Sequence, residues 1–289
     1  MSRVIGRDAA GIETDDVAGI KLLILLTGSV KQTHHFIVAV GCYNKDMNEN
    51  PLLLQPKIVL GVAAHPDDLD FGAAGTMAKF IAGGARVYYL LVTDGGKGTE
   101  DRTITSADLV AQRQTEERNA LKAIGGNPND VAFLGYPDGT LEVTQAVKRD
   151  IVRHIRTIKP DVVVTLDPSI IYMAERGFIN HPDHRAAGQA TLDAVFPLAR
   201  DHLSFPELLA EGFEPHKTPT VLLTAFGGPG NYLVDISTTI DQKIAALAAH
   251  PSQIPDIKST AELLREFARK AAKGSGYEYA ESFNRIDIR

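Results

Sequence analysis

Two tetrapeptides, His65-Pro66-Asp67-Asp68 and His181-Pro182-Asp183-His184, place three imidazoles and three carboxylates at eight positions of a 289-residue chain. His65 and Asp68, three apart across a turn, can converge on one cation while Asp67 points elsewhere. The second tetrapeptide adds two imidazoles. Two histidines and one aspartate with open coordination positions make a site competent for Lewis-acid chemistry. His-Pro pairs also form ordinary turns, so either tetrapeptide alone is a weak signal. Their value lies in where the rest of the chain puts them.

From residue 56 onward, apolar runs alternate with helical patterns. Strands are expected at 57–64, 86–92, 131–134, 161–166, 220–225 and 232–236. Helices are expected at 71–82, from a Ser106 cap to 124, at 145–158, 185–196 and 239–249. Continuous apolar strands separated by helices mean parallel strands covered on both faces. The expected fold is therefore α/β, a Rossmann-like doubly wound, mostly parallel sheet. Such sheets form their sites outside the carboxyl ends of the strands. HPDD follows the first strand, TDGG the second and YPDG the third, and HPDH lies in the stretch after the fourth. Residues 1–55 break the rhythm and read as an N-terminal extension, with strand-like runs at 21–26 and 36–40, before a domain over 56–289.

With TDGGKGT (93–99), QRQTEERNALKAIG (112–125), FLGYPDGTL (133–141), DVVVTLDP (161–168) and DISTTIDQKIAALAAHPSQ (235–253), the two tetrapeptides carry a family likeness. Over about residues 57–253 the chain resembles the PIG-L/LmbE-like metal-dependent N-deacetylases. The resemblance implies that His65, Asp68 and His184 bind the metal, usually zinc, although the same donors suit Fe(II). It makes Asp67 the general base and His181 the partner of the oxyanion or leaving amine. Asp183 would orient and charge-stabilise that imidazole. Arg102 and Asp138 would contact substrate, Asp138 either at sugar hydroxyls or by tuning His181. The implied enzyme is a zinc-dependent N-deacetylase, a hydrolase of linear amide C–N bonds, acting on an N-acetylglucosaminyl-type amino sugar. Ala74 stands where the family commonly has glycine.

Other features narrow the field. The net charge is −6, without the clustered Lys and Arg of a duplex-binding protein, which argues against nucleic acid; the small amino-sugar substrate is what the resemblance implies. A homo-oligomer is compatible with the sequence. One cysteine, Cys42, excludes an internal disulfide and a thiolate metal cluster. No apolar run approaches the ~18 residues of a membrane span. The short run at 20–26 follows four acidic residues instead of a basic start, so a cytoplasmic location is expected. Arg113 and Glu117, four apart on one helix, read as a helical ion pair. His250 has two readings, a site role and a helix-end role. The alternatives are an amidase cleaving a thiol-sugar conjugate and, more distantly, a non-catalytic metal- or nucleotide-binding Rossmann-like protein. HPDD in place of a glycine-rich first turn argues against nucleotide binding.

Overall fold

The computed structural model describes residues 53–174, 177–225, 228 and 230–288, with four two-residue strands between Ile12 and Leu25. Cys42, His34, His35 and the strand-like run at 36–40 lie outside the described residues. The chain divides into two compact units, Met1–Leu53 and Leu54–Arg289. Among the described residues, no helix is long and apolar enough to cross a membrane.

The second unit is built on five parallel strands: β1 (Ile58–Ala63), β2 (Arg86–Thr93), β3 (Val131–Tyr136), β4 (Val162–Leu166) and β5 (Thr220–Thr224). The apolar runs of β1, β2, β4 and β5 are buried on both faces, the edge strand β3 only in part, and Val59, Leu60, Val62, Val163 and Val164 are fully enclosed. Each such side chain contributes roughly 1.5–3 kcal/mol relative to exposure. Helices α1 (Asp68–Ala82), α2 (Ser106–Ala123), α3 (Gln145–Ile158) and α4 (Pro182–Asp193) make the crossovers. Later come β6 (Tyr232–Asp235), α5 (Ile240–Ala248), α6 (Ile257–Ala272) and β7 (Ala280–Asp287). The sheet order is β6-β7-β5-β4-β1-β2-β3. Helices α1, α2 and α5 pack together, as do α3 and α4. The order reverses between β1 and β4, the switch point at which doubly wound sheets open a crevice.

One strand runs against the rest. β7 pairs antiparallel with both β5 and β6. Its sequence, AESFNRID, has one large apolar side chain facing the core, Phe283, and so carries little strand signal. Glu281 explains part of its placement. This buried carboxylate accepts the N–H groups of Gly75 (3.1 Å) and Thr76 (2.7 Å) in α1 and pairs with buried Lys243 of α5 at 2.6 Å.

Helix boundaries also shift toward the motifs. α1 begins at Asp68, inside HPDD, with Asp67 as its N-cap, and α4 begins at Pro182, with His181 as its N-cap. α2 is capped by Thr105, whose hydroxyl accepts the Asp108 N–H at 3.2 Å, and not by Ser106. α4 lies so close to the end of β4 that a Cβ on Gly188 would stand 2.3 Å from the Leu166 carbonyl oxygen. Because both partners there are backbone, Gly188→Ala is expected to lower stability by about 1–3 kcal/mol. Chemical denaturation checks this, and a change below about 0.5 kcal/mol would show that α4 can move off the strand freely.

Candidate metal centre

The ends of β1 and β4 deliver the two tetrapeptides to one place. The ring centroids of His65, His181 and His184 lie 4.8–5.3 Å apart. Asp68, in the first turn of α1, accepts through Oδ2 the N–H groups of Ala64 (3.1 Å) and His65 (2.8 Å). Its Oδ1 lies 3.0 Å from His184 Nε2, and its Oδ2 lies 3.6 Å from His65 Nδ1.

Each of those two rings is anchored on its far nitrogen. His65 Nε2 faces Asp138 Oδ1 at 3.1 Å and Asp183 Oδ2 at 3.3 Å. His184 Nδ1 faces the side-chain oxygen of buried Asn180 at 3.1 Å, while Asn180 Nδ2 donates to the Ile170 carbonyl. A ring whose far N–H is held by an acceptor turns a lone pair inward, the arrangement by which outer groups orient metal-binding histidines. Asp68, His65 Nδ1 and His184 Nε2 thus form a donor set of the type a divalent ion takes. The same neighbourhood holds two other close groups, His65 with His181 and His184, and His65 with Asp138 and Asp183.

Charge at the site follows from burial and these contacts. Burial works against a charged His65, but hydrogen bonds to Asp138, Asp183 and Asp68 outweigh it and push the imidazole up to about 12, so a cation taking Nδ1 would have to displace its proton. Burial likewise opposes ionisation of Asp68, yet the charges and hydrogen bonds of His184 and His65 hold it well below the usual carboxylate range. Asp67 goes the other way: burial, then the adjacent Asp68 charge, raise it to about 7 against the pull of Arg113. His181 is lowered by burial and by the neighbouring His65. Its Nδ1 accepts the Asp183 N–H at 3.2 Å, which puts the ring proton on Nε2.

Several residues differ in position from the sequence reading. The Asp183 carboxylate pairs with His65, not His181, and accepts the N–H groups of Gly139 (2.6 Å) and Leu141 (3.1 Å). Sitting in the first turn of α4, its side chain projects to the β3–α3 loop, while its backbone N–H donates to His181 and its charge still acts to raise that imidazole. Asp138 contacts His65 directly while its charge also acts on His181, and its other oxygen accepts the Lys97 N–H at 3.0 Å. Arg102 is exposed on the loop before α2, with no hydrogen-bond or ion-pair partner among the described residues.

Arg113 and Glu117 are buried and form no helical ion pair. Arg113 donates to the carbonyls of Pro66 (2.7 Å) and Gly95 (3.1 Å), and Glu117 accepts the Asp67 N–H at 2.9 Å. A signal for this existed: 113 and 117 continue the buried stripe of Leu109, Ala120 and Leu121 along α2. Asp67 itself has φ 97°, a left-handed geometry costing on the order of 1–3 kcal/mol. A hydrogen bond from the charged Arg113, worth about 1.5–3 kcal/mol net, and one to Glu117, worth about 0.5–1.5 kcal/mol, are of a size to offset it.

Comparison with known proteins identifies the family and agrees with the fold. The family model described as PIG-L, GlcNAc-PI de-N-acetylase, matches residues 60–195. Diacetylchitobiose deacetylase of Thermococcus kodakarensis is 35% identical over 227 residues, 78% of this chain and 81% of that protein. The chain belongs to the PIG-L/LmbE-like deacetylase family. A probable N-acetyl-alpha-D-glucosaminyl L-malate deacetylase 2 of Bacillus anthracis is 28% identical over 219 residues, 72% of this chain and 86% of that protein. Among solved structures, N,N'-diacetylchitobiose deacetylase from Pyrococcus horikoshii superposes with a TM-score of 0.73 at 30% identity, over 80% of this chain and 84% of that one.

Asn180 was not singled out by sequence, yet it is the residue that turns His184. Asn180→Ala is expected to weaken divalent-metal affinity by about 10–100-fold, measured by chelator competition. Unchanged affinity would mean that the ring is oriented by something else.

Proposed function

We propose that this PIG-L-family protein is a zinc-dependent hydrolase that removes the acetyl group from the nitrogen of an N-acetylglucosaminyl sugar. The observation that carries this reading is the pair of imidazoles, each anchored at its outer nitrogen, presenting Nδ1 of His65 and Nε2 of His184 to Asp68. These three residues would hold the ion, which supplies Lewis-acid polarisation of the amide carbonyl and of water.

The chain's own residues do the rest. An amide resists water because its carbonyl is a poor electrophile and its nitrogen a poor leaving group. Asp67, with its carboxyl raised toward neutrality, takes a proton from the attacking water as the oxygen adds to the carbonyl carbon. General-base assistance of this kind is worth about 10²–10⁴-fold. His181, neutral and carrying its proton on Nε2, donates a hydrogen bond to the developing oxyanion. That donor role fits its tautomer better than proton delivery. The proton held by Asp67 then passes to the nitrogen, the C–N bond breaks, and acetate and a free amine leave. Asp138 and Asp183 act through His65, holding its far N–H. Arg102, from its exposed loop, is placed to meet the distal part of a substrate.

A cleft of about 410 Å³, lined by Leu141, Val143, Pro168, Ile171, Arg185 and Gln189, lies beside the centre. Leu141 donates to Asp183 and so ties one wall of the cleft to the centre, although none of the proposed ligands or catalytic groups lines the cleft itself. Its size falls within the ~300–1,000 Å³ of small-molecule sites, and an apolar-lined cleft suits a second sugar ring. The relatives' names make N,N'-diacetylchitobiose the first substrate to test.

Zinc-loaded protein is expected to release acetate and free amine from diacetylchitobiose in equal amounts. Asp67→Asn should retain one zinc per chain while kcat falls by about 10²–10⁴-fold. Near wild-type turnover in that variant would remove Asp67 as the base. Failure to release amine from diacetylchitobiose, N-acetylglucosamine and inositol-linked glycosides, with cleavage of a thiol-sugar conjugate instead, would select the amidase.

A further inference from the structure

The chemistry above uses Asp67 but not the polar cluster buried behind it. Asp70, Glu117 and His250 are each completely enclosed, and one donor atom from each lies within 4.8 Å of the others. His250 Nε2 stands 2.9 Å from Asp70 Oδ2 and 3.6 Å from Glu117 Oε2. That same Glu117 oxygen accepts the Asp67 N–H at 2.9 Å, while Arg113 donates to the Pro66 carbonyl at 2.7 Å. The peptide joining Pro66 to Asp67 is therefore gripped at both ends by side chains one helical turn apart on α2.

We infer that Glu117, backed by His250 and Asp70 and paired with Arg113, is a positioning device that fixes the left-handed backbone of Asp67 and so aims its carboxylate. The inference rests on Asp67 being the general base. The grip has polarity. Rotating the peptide by half a turn would set its N–H against the Arg113 guanidinium, donor against donor, and would take the Asp67 N–H away from its Glu117 acceptor. The clamp thus selects one of the two peptide orientations, the one that gives Asp67 its φ of 97°.

Stability alone does not account for the cluster. Buried ionisable groups replaced by apolar side chains of similar volume often leave a protein as stable or more so. Here the Asp70 Oδ1, Glu117 Oε1 and His250 Nδ1 atoms are buried without hydrogen-bond partners, each a cost. A divalent ion is disfavoured as their common partner. His250 Nε2 already stands at hydrogen-bond distance from Asp70, and the charge of buried Lys243 acts on the same carboxylate. Burial also favours the uncharged carboxyl at Glu117, for which glutamine is an isostere.

The test compares Glu117→Met, Glu117→Gln, His250→Leu and Asp67→Asn in the zinc-loaded full chain, with diacetylchitobiose as substrate. Glu117→Met should keep one zinc, with KM within about twofold and kcat per folded molecule lowered about 10²-fold, the size expected of a misplaced catalytic group. Glu117→Gln, which keeps the acceptor for the Asp67 N–H, should recover most of that loss. His250→Leu should lower kcat in the same sense with KM held.

Wild-type kcat in Glu117→Met, beside an inactive Asp67→Asn, would overturn the positioning role and leave the base intact. An active Asp67→Asn would instead remove the base, and the inference with it. Activity lost only in proportion to the unfolded fraction would make the cluster structural. A second zinc equivalent present in wild type and absent in His250→Leu would make it a metal site. Either result overturns the inference.

Discussion

Asp68 is the carboxylate on which both halves of the site converge. One of its oxygens takes the N–H groups of Ala64 and His65 at the end of β1, and the other faces His184 in α4. Burial alone would make such a group neutral, but His184 and His65 keep it ionised. Burial first, and then this charge, raise the neighbouring Asp67 carboxyl. An ionised ligand and a base raised to near neutrality therefore arise from one local field, a separation of adjacent carboxylates that suits acid–base work. The arrangement needs β1 and β4 side by side, which the sheet provides where its strand order reverses.

The two motif helices place these groups by starting inside the motifs. Because α1 begins at Asp68, the chain must turn sharply at Asp67, and α2 stabilises that turn with Arg113 and Glu117. Because α4 begins at Pro182, His181 becomes an N-cap whose tautomer is set by the Asp183 N–H. The Asp183 side chain is then free to join Asp138 on His65. Local helix geometry thus assigns a different task to each of four neighbouring polar residues.

Much of this was readable from the chain. Long apolar runs at 57–64 and 161–166 could only be covered parallel strands, and polar residues at their carboxyl ends had to meet. The proposed ligands His65, Asp68 and His184, the proposed base Asp67 and His181 came from a family likeness carried by motifs, and these side chains lie in one neighbourhood of the fold. What escaped reading depends on contacts far apart in sequence. β7 is too polar to announce itself, and it is held partly by Glu281 reaching α1 and Lys243. Arg113 and Glu117 look like a surface pair until the burial of the α2 stripe is known. The partner of Asp183 depends on which way the first turn of α4 faces. His250, with two readings left open by sequence, is enclosed between Asp70 and Glu117.

The central claim is that the ends of β1 and β4 share one divalent ion through His65, Asp68 and His184. Anomalous diffraction on both sides of the zinc absorption edge, from crystals grown with zinc, locates that ion directly. The account predicts one peak per chain bounded by His65 Nδ1, the Asp68 carboxylate and His184 Nε2. A peak held by His65, Asp138 and Asp183, or one enclosed by Asp70, Glu117 and His250, would contradict it.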